Sequence, residues 1–274
     1  MSRAPGRVSA LSAASDMAGL IASLGMYDSP ANAAALDRLW ALIREALADH
    51  AIAAPAALTR GPGAWLPAWQ DPALLLSQTC GYPLRTLLRG RVTLIGAADH
   101  GLADTPPGHY HSVLVARQDD PRESFAEFSH ARFAWNEDLS QSGWAAPWQF
   151  ARENQVRLNP VYRSGGHRAS AAALRAGKAD LAALDAVTWA MMGEDGSGDA
   201  RGLRVIACTP PTPALPFITA RGRDPLPLFA ALSSAISALN AAESAQLHLK
   251  ALVSLGEADY WAIPNPPSPA QSDG

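Results

Sequence analysis

One stretch limits the fold more than any other: Arg163 to Trp189, RSGGHRASAAALRAGKADLAALDAVTW. Ser164-Gly165-Gly166 allows a sharp turn where a side chain would clash. A helix then starts near His167, with Ala171, Ala172, Ala173 and Leu174 as strong helix formers. Gly177 stands where a left-handed helix end is expected. Leu181-Ala182-Ala183-Leu184 is too short for a helix and apolar throughout, which suits a buried strand. Asp185 closes that strand, and Trp189 falls on the next helix. A turn feeding a helix exposes unpaired N–H groups at the positive end of the helix dipole, where an anion can sit. A carboxylate at the carboxyl end of a strand stands where open α/β sheets place ligand contacts.

The same grammar recurs along the chain. Leu20–Leu24 reads as a strand, followed by Met26-Tyr27-Asp28-Ser29-Pro30 and a helix to about His50, capped by Ser29 or Asp28. That helix carries Leu36, Leu39, Trp40, Ile43 and Leu47 at helical spacing. Residues 51–58 are a weaker strand candidate. Leu74–Ser77 and Val92–Ile95 read as strands, the first followed by Gln78-Thr79-Cys80-Gly81-Tyr82-Pro83. Further strands are expected at 112–116, 133–135, 203–208 and 217–220, the last taken as the final one. Thr209–Pro213 should stop all regular pairing. Residues 226–240 and 242–252 read as helices, and the Pro/Ser-rich tail 264–274 as disordered. Strands alternating with helices imply a mostly parallel α/β arrangement. Three turns carry small polar residues just before a helix: 77–81, 140–143 and 164–167. Such helix starts, converging, would hold an oxyanion through hydroxyls and amides.

Composition narrows the classes. The chain has 274 residues, 48% hydrophobic and 17% charged, so it can bury a sizeable core. At net charge −3, with two lysines, it offers no basic face for nucleic acid. No apolar run approaches the roughly 18 residues a membrane helix needs. Cys80 and Cys208 lie in apolar surroundings and read as buried free thiols, although a bridge between them stays open. Asp99, His100, His109 and His111 have loose metal-like spacing but lack a tight ligand pair; no metal and no cofactor is expected. No P-loop, GxSxG, HExxH or dinucleotide fingerprint is present, so catalysis is not indicated.

Taken together, MYD after the first strand, SQTCGYPL, NxxxSxSG, SGGHRAS and GKADLAALDAVTW resemble the phosphonate/phosphate-type substrate-binding proteins of ABC transporters. Those belong to the type II periplasmic-binding-protein superfamily, and the resemblance spans roughly residues 20–222. It implies a two-lobed α/β fold: two mixed sheets flanked by helices and joined by two hinge crossings near 109–113 and 208–213. Residues 1–112 and 208–274 would form the first lobe and 113–207 the second, with the ligand cleft between. Carried over by position, the resemblance puts Tyr27, Ser77, Thr79 and Tyr82 on the first wall. Asn136, Ser140, Ser142, Ser164, His167 and Asp185 would line the second. Several have a structural alternative: Ser140, Ser142 and Asp185 as helix caps, His167 as a first-turn histidine, Tyr27 as core edge, Tyr82 as core.

The resemblance implies a monomer that captures a small oxyanion such as phosphate or a phosphonate and serves an ABC permease. Such proteins are periplasmic. Here Arg3 and Arg7 stand where a leader's charges would, but Ser15-Asp16 breaks the apolar stretch, so no export signal is expected. A cytosolic orphan binder or sensor therefore remains an alternative. So does an enzyme on the same fold, of the thiamine-precursor type, because fold does not fix function.

Overall fold

A computed structural model describes residues 19–269. Twelve strands are present among them. β1 (Ile21–Ser23), β2 (Leu74–Gln78), β3 (Val92–Asp99), β11 (Pro216–Ala220) and β12 (Ala251–Val253) form one sheet in the order β1-β2-β11-β3-β12. β5 (Ser112–Arg117), β6 (Arg132–Trp135), β7 (Asn159–Arg163), β8 (Leu181–Asp185) and β9 (Leu203–Cys208) form a second, ordered β7-β6-β8-β5-β9. The remaining two, β4 (His109–Tyr110) and β10 (Thr212–Pro213), pair antiparallel as a ribbon where the chain crosses between sheets. This is the two-lobed type II periplasmic-binding-protein fold.

The sheets are mixed, as the resemblance implies, which corrects the mostly parallel arrangement read from strand–helix alternation alone. β1 and β2 are parallel, yet β11 runs antiparallel to both β2 and β3. In the second sheet β6 is parallel to β7 and β8, while β5 is antiparallel to β8 and β9. Strands that return through the crossing enter the opposite lobe in reverse, and alternation along the chain does not reveal this. The ribbon also corrects the reading that 209–213 stops all pairing. Proline lacks an N–H, but Pro213 opposite His109 pairs at a two-stranded edge, where that loss is tolerated.

Helix α1 (Ala33–Asp49) starts after Asn32, not at a Ser29 or Asp28 cap. Leu36, Leu39, Trp40, Ile43 and Leu47 are all buried against α7 (Leu226–Ser237) and the first sheet. Each such side chain contributes roughly 1.5–3 kcal/mol by leaving water. Residues 51–58 form no strand; the Pro55 carbonyl instead accepts from Trp40 Nε1 at 3.2 Å. α2 (Leu66–Gln70), α3 (Gly81–Arg85) and α4 (Ala146–Glu153) are short. α5 (His167–Arg175) packs Ala171 and Leu174 on the second sheet, and α6 (Ala186–Glu194) follows β8 directly. Helix α8 (Ala241–Leu247) ends at His248, whose φ of 45° is left-handed, and the chain then forms edge strand β12. The expected helix to 252 is thus cut short, and α9 (Glu257–Trp261) comes after it.

Both cysteines are free; Cys80 is buried, but Cys208 is exposed, at the end of edge strand β9. The tail departs from expectation as well: carbonyls of Pro264, Pro266 and Pro267 accept hydrogen bonds from the body of the protein. Residues 270–274, and residues 1–18 where an export signal would lie, are outside the described residues. Among the described residues no single helix is long and apolar enough to cross a membrane.

Candidate functional site

The crossing ribbon brings the carboxyl end of β8 to the lobe boundary. Ser112, the first residue of β5, pairs with Asp185, and the Ala186 amide bonds to His111 O at 3.1 Å. Asp185 therefore sits between the start of α6 and the first lobe. Its Oδ1 accepts from the Val187 and Thr188 amides at 2.7 and 3.2 Å, the cap geometry that short carboxylates favour. Its Oδ2 accepts from the Tyr27 hydroxyl, 2.8 Å away across the lobe boundary. Tyr27 ends a 3₁₀ turn after β1, and its ring meets His100 edge-on, centroids 5.4 Å apart. Burial pushes the Asp185 carboxyl up to about 6, against the lowering effects of Tyr27, Thr188 and Val187. Burial, then the Asp185 charge, pushes the Tyr27 phenol well above its ordinary value.

A second group lies on the same wall. Ser142 Oγ and His167 Nε2 are 3.0 Å apart, and Asn136 Nδ2 lies 3.5 Å from the same nitrogen. Burial lowers the imidazole pKa to about 4, so the ring is neutral near pH 7. A serine hydroxyl and an amide N–H both donate well to an unprotonated Nε2, which leaves the proton on Nδ1. Nδ1 makes no hydrogen bond of good geometry, although the Ala183 backbone opposes the pKa shift. A Ser–His pair whose Nδ1 meets no carboxylate lacks the orienting acid of a hydrolytic triad. Asn136 Oδ1 is buried and unpaired. A Cβ on Gly143 would lie 1.8 Å from that oxygen, so the glycine of SxSG makes the room Asn136 occupies.

Tyr110 joins the two groups. It is 1% exposed, its hydroxyl lies 3.8 Å from Cys80 Sγ, and burial first, then Cys80 and Asp185, raise its pKa, with Ser142 opposing. Thr79 Oγ1 is buried without a partner. The structure thus brings Tyr27 to Asp185, and Asn136 and Ser142 to His167.

The other sequence candidates spend their polar groups locally. Ser77 Oγ is 2.7 Å from Ser23 Oγ and accepts from Trp69 Nε1 at 3.1 Å. Ser140 Oγ accepts from the Gly143 amide at 2.9 Å and caps the turn 141–145. Ser164 Oγ donates to Gly166 O at 3.0 Å and pairs with Ser170 Oγ at 2.6 Å. Tyr82 lies in the core of the second lobe's face, with its hydroxyl donated to Pro266 O at 3.3 Å. The weighed metal ligands point elsewhere: His100, His109 and His111 bond through Nδ1 to His248 O, Pro107 O and Thr105 Oγ1. Among the described residues no cluster of three or more His, Cys, Asp or Glu could hold a metal ion.

Sequence reasoning missed Arg85 and Gln141. Arg85 is 5% exposed, yet it meets no carboxylate among the described residues. Its Nη1 donates to Gln141 Oε1 at 2.6 Å, and the Gln141 amide donates to Cys80 Sγ at 3.2 Å. Burial lowers the guanidinium pKa, with Cys80, Tyr110 and Tyr82 opposing. An arginine inside the apolar run PLRTLL was the available signal.

Comparison with known proteins gives the family and the fold. Residues 89–259 match the family model for ABC transporter, phosphonate, periplasmic substrate-binding proteins. Among solved structures, PhnD1 from Prochlorococcus marinus in complex with methylphosphonate matches at 18% identity and TM-score 0.66, over 88% of this chain and 94% of that one. A binding protein component of an ABC phosphonate transporter from Pseudomonas aeruginosa, PA3383, matches at 15% identity and TM-score 0.63, over 88% and 83%. The aliphatic sulphonate binding protein SsuA from Escherichia coli matches at 14% identity and TM-score 0.57, over 82% and 68%. At these identities the structural likeness carries the fold alone. No curated protein sequence matches the chain.

Proposed function

The chain belongs to the phosphonate-type periplasmic substrate-binding proteins of ABC transporters, and from that premise we propose that it closes its two lobes on a small phosphorus oxyanion for uptake through an ABC permease. Phosphate, phosphite and short alkylphosphonates are the ligand class. The observation that carries this reading is the meeting of Tyr27, from the first lobe, with Asp185 from the second, beside the Ser142–His167 pair. On binding, the Ser142 and Tyr27 hydroxyls turn their protons from His167 Nε2 and Asp185 Oδ2 to the ligand oxygens, joined by the Thr79 hydroxyl and the second N–H of the Asn136 amide. Asp185 accepts the proton of a singly protonated oxyanion, a task suited to a carboxyl that burial already raises to about 6. His167 stays neutral, its Nε2 still facing the Asn136 amide once Ser142 has turned to the ligand. Closure is a hinge motion about the ribbon of β4 and β10. In keeping with the family, the working compartment is the periplasm.

Thermal unfolding with a panel of phosphate, phosphite, methylphosphonate, sulfate and taurine tests this. A ligand at one hundred times its dissociation constant stabilises by about 2.7 kcal/mol. For a chain of this size the melting temperature should rise by roughly 5–10 °C. The expected result is a rise with the phosphorus compounds. A rise only with sulfate and taurine would overturn the ligand class.

A further inference from the structure

The segment that follows α9 crosses the lobe boundary. Helix α9 holds it on the first lobe: Tyr260 is 1% exposed in that lobe's core, and its hydroxyl donates to Ala214 O at 2.8 Å. From there residues 264–267 run over α3. Arg85 Nη2 donates to Pro264 O at 3.2 Å and Arg85 Nε to Asn265 Oδ1 at 2.7 Å. The Tyr82 hydroxyl donates to Pro266 O at 3.3 Å. The next carbonyl, Pro267 O, accepts from Trp144 Nε1 at 2.9 Å. Trp144 belongs to the turn 141–145 of the second lobe and is itself fully buried. The segment therefore touches both sides of the cleft.

The match is chemical. Positions 264, 266, 267 and 269 are proline, so the segment has lost most of its backbone donors and offers mainly carbonyls. The surface beneath it offers the reverse: an indole N–H, a phenol and a guanidinium, all donors in these contacts. A proline-rich strand is also stiff before it docks, so docking orders little that was free. Arg85 lies over the Tyr82 ring, 4.7 Å from its centroid, so one rigid pair presents three of the four donors. Arg85 reaches the second lobe on its other side too, through Gln141.

We infer that Tyr82, Arg85 and Trp144 form a receptor for the chain's own proline-rich segment, and that the docked segment latches the two lobes in the closed form. Opening must break the Trp144–Pro267 contact or peel the segment from Tyr82 and Arg85. The latch rests on the hinge reading above but not on the identity of the ligand.

Its test therefore uses ligand-free protein. The full chain is compared with one ending at Ile263, by hydrogen exchange at the Gln141 amide, which donates across the boundary to Cys80. The shortened chain should exchange about tenfold faster, the factor that about 1.4 kcal/mol makes at 25 °C, and its radius of gyration should increase. Adding the peptide of residues 264–274 should restore slow exchange. Equal exchange and equal size in the two chains would overturn the latch. If the shortened chain does not fold, Tyr82→Phe decides. It keeps the ring and removes only the hydroxyl that donates to Pro266 O; exchange equal to the parent's would overturn the proposal, and faster exchange supports it. A chain that binds no phosphonate but still shows the exchange difference would refute the ligand class and leave the latch standing.

Discussion

Lowering the pH from 7 to 4 should destabilise the ligand-free protein by roughly 3 kcal/mol net, through two buried groups and the half-buried His167, which pull in opposite directions. His167 and His100 both have pKa values lowered from 6.5 to about 4, each by burial first. A base with a depressed folded pKa takes up its proton later than the unfolded chain does. Between about 6.5 and 4 the unfolded state thus binds more protons, and stability falls as the pH falls. Each histidine accounts for about 3 kcal/mol when the window is complete. Asp185 runs the other way. Its folded pKa is raised from 3.8 to about 6, so the folded state binds the proton first and gains about 2–3 kcal/mol as the pH falls through that window. Asp120, held down to about 2 by Arg122, adds a loss that begins near its ordinary value of 3.8 and is complete near 2, so little of it falls within this range. Urea unfolding at a series of pH values, on the parent, His167→Gln and Asp185→Asn, reads these effects. His167→Gln should lose less stability on acidification and Asp185→Asn more. Three parallel curves would refute the assignment.

Asp185→Asn should also change which anion the protein takes. The side chain keeps an oxygen for the Val187 and Thr188 amides, so the cap of α6 survives, because Asn caps as well as Asp. The amide then faces the Tyr27 hydroxyl, which can accept from it. What disappears is a buried negative charge. In the parent that charge repels a dianion with no proton to share, such as sulfate, while hydrogen phosphate or a monoprotonated phosphonate can donate to it. Unpaired like charges out of water cost several kcal/mol. The preference for methylphosphonate over sulfate should therefore fall on the order of 100-fold, or about 2.7 kcal/mol. Stability at pH 7 should not fall, since burial already disfavours the ionised carboxylate. Calorimetric titration of both proteins with both anions checks this. An unchanged ranking would reduce Asp185 to a helix cap and an anchor for Tyr27.

What could be read from the chain was what short-range chemistry decides. Gly165 and Gly177 do adopt positive φ, 84° and 68°, and α5 starts at His167 between them. Asp185 does end a five-residue buried strand, because the apolar run was too short for a helix. Residues 251–253 were misread because Ala and Leu favour helices in isolation, whereas pairing along the edge of β3 decided the matter. Ser77 and Ser164 were read from their place in a turn. Which hydroxyl stays available depends on partners 54 and 6 residues away, Ser23 and Ser170. The tail was read as disordered from composition, which is sound for a segment that must build its own core. Here its carbonyls dock on donors contributed by Tyr82, Arg85 and Trp144, which are far from the segment in sequence and meet it only in the folded chain.

The central claim is that the corner between Tyr27, Asp185 and the Ser142–His167 pair holds the phosphorus oxyanion. A crystal structure of the protein grown with methylphosphonate tests it most directly. The account predicts the phosphonate between the lobes, with one oxygen within about 3 Å of Ser142 Oγ and another in reach of the Tyr27 hydroxyl and Asp185. A phosphonate bound outside that corner, or a corner left unchanged in crystals grown at saturating methylphosphonate, would contradict it.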